Sequence, residues 1–131
     1  LREQGKPVIA ICSDKKQAMY DKEANIIEGD PTNVKTLQTA NIRQASWVAT
    51  LSESDAENTF ILLTIQECPD LQAKLITIIN KDENREKISR LRPDMLLSLA
   101  SLGKEIMMKV LCGESINSSD VTDLLINKYL K

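Results

Sequence analysis

Short apolar runs alternate with longer polar or amphipathic segments along the chain. The runs fall at residues 7–12, 25–27, 47–51, 74–79 and 95–97. Runs of this length, bounded by polar turns, predict strands that are buried on both faces. Helices are predicted at residues 13–22, 34–40, 56–67, 80–92 and 102–111, the fourth of these beginning as a charged turn. Strands and helices that alternate at this spacing predict an α/β fold, with a parallel sheet and helices on both faces.

Two predicted strands end in turns that lead directly into helices. Asp30 precedes Pro31 and is expected to cap the helix at residues 34–40, since proline is tolerated at the first helical position. Ser54 and Glu57 have the spacing of a capping box for the next helix. In open parallel sheets, the carboxyl ends of strands followed by helix N-termini are where ligands and anions bind. The sequence therefore favours a binding scaffold.

Composition narrows the classes of function. The chain has 131 residues, 42% of them hydrophobic and 3% aromatic, with a formal net charge of −2. Without a basic stripe, nucleic acid is not expected as a partner. The three cysteines are far apart, which fits neither a disulfide framework nor a metal site. The chain has no histidine, which weighs against catalysis. No apolar run reaches the roughly 20 residues that span a bilayer, so a soluble, intracellular protein is expected.

The start of the chain is unusual for this fold. Residues 1–4 have the pattern of the last turn of a helix, and no Gly-x-Gly-x-x-Gly turn precedes them. In the usual dinucleotide-binding order, 3-2-1-4-5-6, the strand before that helix is central. Without it, the strands at 7–12 and 25–27 would be separated from the other three. A removed preceding segment, a strand supplied by a partner and a rearranged sheet are all open, and a fragment of a longer polypeptide is favoured.

Two predicted helices near the end of the chain are amphipathic. The helix at 102–111 carries Leu102, Ile106 and Val110 on one face. A tail helix at 118–130 has an apolar side formed by Val121, Leu124, Leu125 and Tyr129. An apolar side on a terminal helix indicates a surface that another element or subunit covers.

Several segments together resemble the RCK domain, the regulator of potassium conductance that also occurs in bacterial Trk-type uptake proteins. The similarity covers residues 1–114. The matching segments are Glu28-Gly29-Asp30-Pro31-Thr32, Leu37-Gln38-Thr39-Ala40-Asn41-Ile42, Ser54-Asp55-Ala56-Glu57-Asn58-Thr59, Arg92-Pro93-Asp94-Met95-Leu96-Leu97-Ser98 and Leu102-Gly103-Lys104-Glu105-Ile106. The segment from Val110 to Asn117 resembles the Kch type of bacterial potassium channel.

The resemblance implies a regulatory, non-catalytic domain at the cytoplasmic face of the membrane. Residues 1–114 would form a Rossmann-like lobe that lacks its first strand, and residues 115–131 a tail helix in contact with a neighbouring subunit. Such domains pair through helices that correspond here to residues 83–92 and 102–111, forming homodimers or rings. The implied interface residues are Leu102, Ile106, Val110, Val121, Leu124 and Leu125. A potassium pore would precede this segment in the same polypeptide.

The resemblance also implies a ligand site. A nucleotide of the NAD or ATP/ADP type would bind in the intact protein, and the candidate residues are Asp14, Gly29, Asp30, Asp55 and Glu57. The residues alone leave helix capping as an equal alternative for Asp30 and the favoured one for Asp55 and Glu57. In the calcium-gated branch, the acids that accompany Asp55 fall on Ile78 and Asn80 here, so no metal site is expected.

The sequence leaves two other classes of function open. A fragment of a nicotinamide-dependent oxidoreductase would need the glycine turn and a catalytic histidine or Tyr-x-x-x-Lys pair, which the sequence lacks. A purely structural oligomerisation subunit would need only the apolar helices.

Overall fold

The computed structural model of the protein describes residues 7–13 and 25–114. The strands in this part of the chain are β1 (Ile9–Cys12), β2 (Asn25–Glu28), β3 (Trp47–Thr50), β4 (Lys74–Ile79) and β5 (Met95–Ser98). The α-helices are α1 (Val34–Thr39), α2 (Asp55–Gln66), α3 (Arg85–Ser89) and α4 (Leu99–Leu111). Short 3₁₀ helices occupy Ile42–Gln44 and Asp82–Asn84. Each of the five strands overlaps its predicted position.

The helices differ from the predictions by more than one residue in two places. Helix α4 begins three residues earlier than predicted, because the Ser98 hydroxyl caps it by accepting from the Ser101 N–H at 3.2 Å. The predicted segment 80–92 divides into the 3₁₀ helix Asp82–Asn84 and the short helix α3. Gly113, with a φ of 77°, follows the end of α4, a position where glycine readily takes the left-handed conformation.

The strands form two parallel sheets. β1 pairs with β2, and β3, β4 and β5 form a second sheet in that order. The sequence predicts this separation between the first two strands and the following three. Thr50 lies beside Thr77, and Ile79 beside Ser98. The turns after β3, β4 and β5 therefore gather along one edge of the sheet, at the carboxyl ends of its strands.

One face of the three-stranded sheet is buried in the core. The buried residues of this face are Thr50, Leu75, Thr77, Ile79, Leu96 and Ser98. Leu62 and Ile65 of α2 and Ile88 of α3 belong to the same hydrophobic cluster as the apolar members of this face. The hydroxyls of Thr50 and Thr77 hydrogen-bond to each other at 2.9 Å, so these two polar groups are buried without losing a partner.

Helix α2 connects the region around β2 with the three-stranded sheet. Its Thr64 hydroxyl donates to the carbonyl of Thr32, in the turn after β2, at 3.1 Å. Leu37 of α1 belongs to the hydrophobic cluster that contains Leu62, and Ile11 of β1 packs against it. One core therefore holds both sheets.

Helix α2 is apolar on most sides, but within the described residues only one side of it is buried. Phe60 and Leu63 are 61% and 39% exposed. These two positions lie three residues apart and share one side of the helix. Within residues 7–13 and 25–114, no helix combines the length and the apolar character that crossing a bilayer requires.

Arg92 holds an unfavourable backbone conformation between α3 and β5. Its φ is 53°, a value that costs a residue with a Cβ about 1–2 kcal/mol, and Pro93 restricts it further. We expect Arg92→Gly to raise the free energy of unfolding by about 1 kcal/mol, after allowance for the extra freedom of glycine in the unfolded chain. Urea denaturation measures the change. Arg92→Ala is the matched control, because it removes the charged side chain but keeps the Cβ. Equal stability of the two variants would contradict the prediction.

Candidate functional site at the carboxyl ends of the strands

The turn after β2 packs closely against α1. The N–H of Gly29 donates to the carbonyl of Cys12 at 2.9 Å, which joins the ends of β1 and β2. A Cβ on residue 29 would lie 2.9 Å from Cγ2 of Thr36, closer than two carbon atoms approach without displacement. Packing alone therefore accounts for glycine here, and its role towards a ligand stays a prediction.

Asp30 does not cap α1, and that prediction is wrong. Its Oδ1 accepts from the N–H and the hydroxyl of Thr32 at 2.9 and 2.6 Å, so the side chain closes a local turn instead. Asn33 caps the helix, with Oδ1 accepting from the Lys35 N–H at 2.9 Å. The Thr32 hydroxyl and N–H hold the pKa of Asp30 below its ordinary value, and Asp30 remains exposed at the edge.

The carboxylate of Asp55 joins the turn after β3 to the turn after β4. Asp55 is 8% exposed. Its Oδ1 accepts from the N–H of Asn80 at 2.7 Å and from the same residue's Nδ2 at 3.0 Å. Its Oδ2 accepts from the N–H of Lys81 at 2.9 Å and from Nδ2 of Asn84 at 2.8 Å. Four donors fill the accepting capacity of a carboxylate, so Asp55 fastens two turns together.

These contacts determine the charge state of Asp55. Burial raises the pKa of this carboxyl, but the donors from Asn80, Asn84 and Lys81 outweigh burial and hold the pKa below its ordinary value. A carboxyl whose pKa is lower in the folded than in the unfolded state stabilises the fold above its unfolded pKa of about 3.9. That contribution is lost as the pH falls through the folded pKa.

Of the two hydrogen bonds in the predicted capping box, one is made directly and the other through Ser52. Ser54 Oγ accepts from the Glu57 N–H at 3.3 Å, as the spacing predicts. The Glu57 carboxylate accepts from the hydroxyl of Ser52, and that hydroxyl oxygen accepts from the Ser54 N–H at 3.1 Å. Ser52 therefore mediates the second contact of the box, which a Glu side chain usually makes directly.

Two amide side chains, which the sequence analysis did not predict to act here, complete this edge. Asn58 is fully buried. Its Oδ1 accepts from the Ser52 N–H and its Nδ2 donates to the Ser52 carbonyl, both at 2.9 Å. Asn80 Nδ2 donates to the same carbonyl at 2.9 Å. An asparagine within the first turns of an apolar helix is the available signal, because a buried amide requires partners.

Asp82 makes the same kind of connection one strand further along. Its Oδ1 accepts from the Ser98 hydroxyl at 2.5 Å, and its Oδ2 from the Ser101 hydroxyl at 3.4 Å. The Ser98 hydroxyl lowers the pKa of Asp82 against the effect of burial, and the nearby Arg85 guanidinium adds to the lowering. The turn after β4 is therefore fastened to the end of β5 and the beginning of α4.

An open cleft of about 370 Å³ lies between the turns after β3 and β4. Its lining consists of Glu53, Ser54, Asp55, Ala56, Asn80, Lys81 and Asn84. Among the residues that the structure describes, no group of three or more Cys, Asp and Glu side chains is placed to hold a metal ion. Asn80 already donates both of its amide hydrogens, to Ser52 and Asp55. The lining carries the carboxylates of Glu53 and Asp55 as well as the ammonium of Lys81, so the cleft is polar without favouring one sign of charge in a ligand.

The structure does not gather the predicted ligand residues into one pocket. Asp55 lines the cleft, whereas Gly29, Asp30 and Glu57 are not part of its lining. Asp30 and Gly29 belong to the turn after β2, and Asp55 and Glu57 to the beginning of α2. Several predicted positions lie outside the described residues: Asp14, Val121, Leu124, Leu125 and the tail helix at 118–130.

Helix α4 exposes an apolar surface. None of its 13 residues is buried. Among the predicted interface residues on this helix, Leu102 and Ile106 are half-buried and Val110 is 58% exposed. The exposed large side chains, which together we call the α4 surface, are Leu99, Met107, Met108, Val110 and Leu111. Exposed apolar side chains on one helix make this surface a candidate for an interaction site.

Residues 1–99 match the family described as the TrkA-N domain. The voltage-gated potassium channel Kch of Escherichia coli (strain K12) is 32% identical over 104 residues, which make up 79% of this chain and 25% of that protein. The chain thus spans about a quarter of the length of this curated relative.

Solved structures share the fold. The NAD(P)-binding domain of an exopolyphosphatase-related protein from Archaeoglobus fulgidus aligns with a TM-score of 0.73 and 18% identity, over 86% of this chain and 84% of that one. GsuK bound to ADP aligns with a TM-score of 0.70 and 14% identity, over 98% and 36% of the two chains. The GsuK RCK domain aligns at 0.63 and 16%, over 74% and 21%. These likenesses confirm the predicted Rossmann-like α/β fold.

The Asp55 carboxylate is expected to contribute strongly to stability. Asp55→Asn preserves the shape of the side chain but replaces one carboxylate oxygen with an NH₂ group. That group cannot accept a hydrogen bond, so at least one of the four N–H groups that donate to Asp55 loses its partner. We expect the free energy of unfolding at pH 7 to fall by about 2–3 kcal/mol, as measured by urea denaturation. The difference from the wild type should shrink as the pH falls below about 4, because the unfolded wild-type chain then binds a proton at this carboxyl that folding must release, until the folded carboxyl is protonated as well.

The control for this prediction is Asp70→Asn, an exposed position outside the cluster, for which a change within about 0.5 kcal/mol is expected. Equal stability of Asp55→Asn and the wild type at pH 7 would contradict the account. So would a difference that stays constant down to acid pH.

Proposed function

Because the chain belongs to the TrkA-N (RCK) domain family, we propose that it is a regulatory, non-catalytic domain of a potassium channel or potassium-uptake system. The family match and the Kch relative agree with the family predicted from the sequence motifs. In this proposal the domain self-associates at the cytoplasmic face of the membrane, and ligand binding changes the assembly and thereby ion conductance. The observation that supports self-association most directly is the α4 surface, which no described part of the chain covers.

The proposed ligand is a nucleotide of the NAD or ATP/ADP type. GsuK has been solved bound to ADP and bound to NAD, and its fold is shared with this chain. The turn after β2 offers an exposed carboxylate at Asp30, held in the ionised form by Thr32. An ionised carboxylate at the end of a parallel strand suits the hydroxyl groups of a ribose or the amino group of an adenine.

The proposed self-association uses the outward side of α4. Met107, Val110 and Leu111 are 64%, 58% and 76% exposed, so burying them against a second copy removes much apolar surface from water. Leu102 and Ile106 already face partly inwards. The outward residues are therefore the better positions at which to test association than the half-buried ones.

We expect Val110→Asp to weaken self-association at least tenfold, because a carboxylate would be desolvated at the interface. Light scattering across a wide concentration range measures the mass. Lys104→Asp is the matched control, since it places the same side chain at an exposed polar position of the same helix. A wild-type protein that stays monomeric at every concentration would contradict self-association. An unchanged mass for Val110→Asp would contradict this surface.

We expect ADP or NAD to raise the midpoint of thermal unfolding, because a ligand that binds only the folded state stabilises it. Asp30→Asn should weaken the affinity about tenfold, since a charge-assisted hydrogen bond becomes a neutral one. Glu28→Gln, an exposed change two residues earlier, serves as the control. Neither nucleotide producing a shift would contradict nucleotide binding by this chain. An equal effect of the two substitutions would contradict the role of Asp30.

A further inference from the structure

Helix α4 has little buried packing to fix its direction. It is 13 residues long and contains no buried residue, whereas Leu62 and Ile65 of α2 have no exposed surface. Packing of an apolar face usually supplies most of the stability and orientation of a helix. The orientation of α4 therefore depends more than usual on the polar contacts at its beginning.

The two shorter of those contacts are made by the Ser98 hydroxyl. Ser98 Oγ donates to Asp82 at 2.5 Å and accepts from the Ser101 N–H at 3.2 Å. Ser98 is fully buried, whereas the Asp82 side chain remains 45% exposed. The Ser101 hydroxyl adds a weaker contact to Asp82 at 3.4 Å. Together with the β4–β5 ladder, in which Ser98 lies beside Ile79, Asp82 therefore helps to hold the N-cap of α4 and its first turn.

The position of Asp82 is in turn set from the neighbouring strand. Asp82 lies between Lys81 and Asn84, and both of these residues donate to the Asp55 carboxylate, at 2.9 and 2.8 Å. Asn80 adds two more hydrogen bonds to Asp55. Residues 80–84 are thus held on one side by Asp55 and on the other by Ser98.

We propose that Asp55 and Asp82 act as a two-step polar relay that couples the turn after β3 to the orientation of α4. A ligand that draws Asn80 or Asn84 away from Asp55 would shift residues 80–84, and with them the Asp82–Ser98 contact that holds α4. The coupling itself is carried by the hydrogen bonds, whereas its regulatory meaning rests on the proposed function of the α4 surface. Asp55 and Asp82 are positioning residues in this scheme.

Amide hydrogen exchange at the first turns of α4 tests the relay. The relevant amides are those of residues 101–104 that exchange by local opening, recognised by rates that do not increase in mild urea. We expect Asp82→Asn to accelerate their exchange roughly tenfold. Asp55→Asn should accelerate the same amides several-fold, although its side chain hydrogen-bonds to none of them.

The matched control is Asp94→Asn. Asp94 also accepts a main-chain hydrogen bond, from the Leu75 N–H at 2.7 Å, but at the opposite edge of the sheet. This variant should leave the α4 amides within about twofold of the wild type. If Asp55→Asn does not fold, Asn84→Ala replaces it, since it removes only one of the four hydrogen bonds to Asp55.

The double variant Asp55→Asn/Asp82→Asn separates coupling from independent effects. Members of one hydrogen-bond network give non-additive changes, so the double variant should exchange little faster than Asp82→Asn alone. The relay is overturned if the effects of the two substitutions on the exchange rates simply multiply, or if Asp55→Asn and Asn84→Ala change the exchange of α4 no more than Asp94→Asn does.

Mass measurements on the same samples test self-association separately from the relay. Coupled exchange in a protein that never self-associates would support the relay and contradict only its link to assembly.

Discussion

The hydrogen bonds to the Asp55 carboxylate are the constraint on which the candidate site depends. Burying a carboxylate is unfavourable unless donors replace the lost water, and here two main-chain N–H groups and two amide side chains do so. The ladder between β3 and β4 aligns the strands but does not reach the turns beyond them. Asp55 extends the alignment into those turns, and Asn58 fixes Ser52 on the other side of the same edge. The result is a polar edge whose groups are largely satisfied within the chain.

The candidate site and the α4 surface differ in their physical character. The edge formed by the turns after β3, β4 and β5 is polar and tightly hydrogen-bonded, whereas the α4 surface is apolar and exposed. Ser98 connects the two, because it ends β5 and caps α4. A domain that links ligand state to assembly needs a connection between a binding edge and an association surface. In this fold, the short distance along the chain from β5 to α4 places the two next to each other.

The sequence predicted the strands well. Short apolar runs rich in β-branched residues, such as the one in β4, favour strands over helices, and the polar or amphipathic segments between them separate one strand from the next. The predicted start of α4 was three residues late. Ser98 is both the last residue of β5 and the cap of α4, so no polar turn in the sequence separates the apolar residues of the strand from Leu99. The expected Asp30 cap was wrong for a local reason, as Thr32 offers the carboxylate two donors before the helix begins. The partners of Asp55 could not be predicted, because they lie 25 to 29 residues away along the chain. Local spacing predicts caps, whereas contacts between turns depend on the register of the strands.

The most direct measurement of the central claim is the pKa of Asp55 in the folded protein, followed by the carboxyl ¹³C chemical shift in an NMR pH titration. If the four hydrogen bonds hold the carboxylate as described, Asp55 titrates below the ordinary value of about 3.9, and the amide protons of Asn80 and Lys81 shift with the same midpoint. A midpoint at or above the ordinary value, with no response from those two amides, would show that burial outweighs hydrogen bonding and would contradict the account.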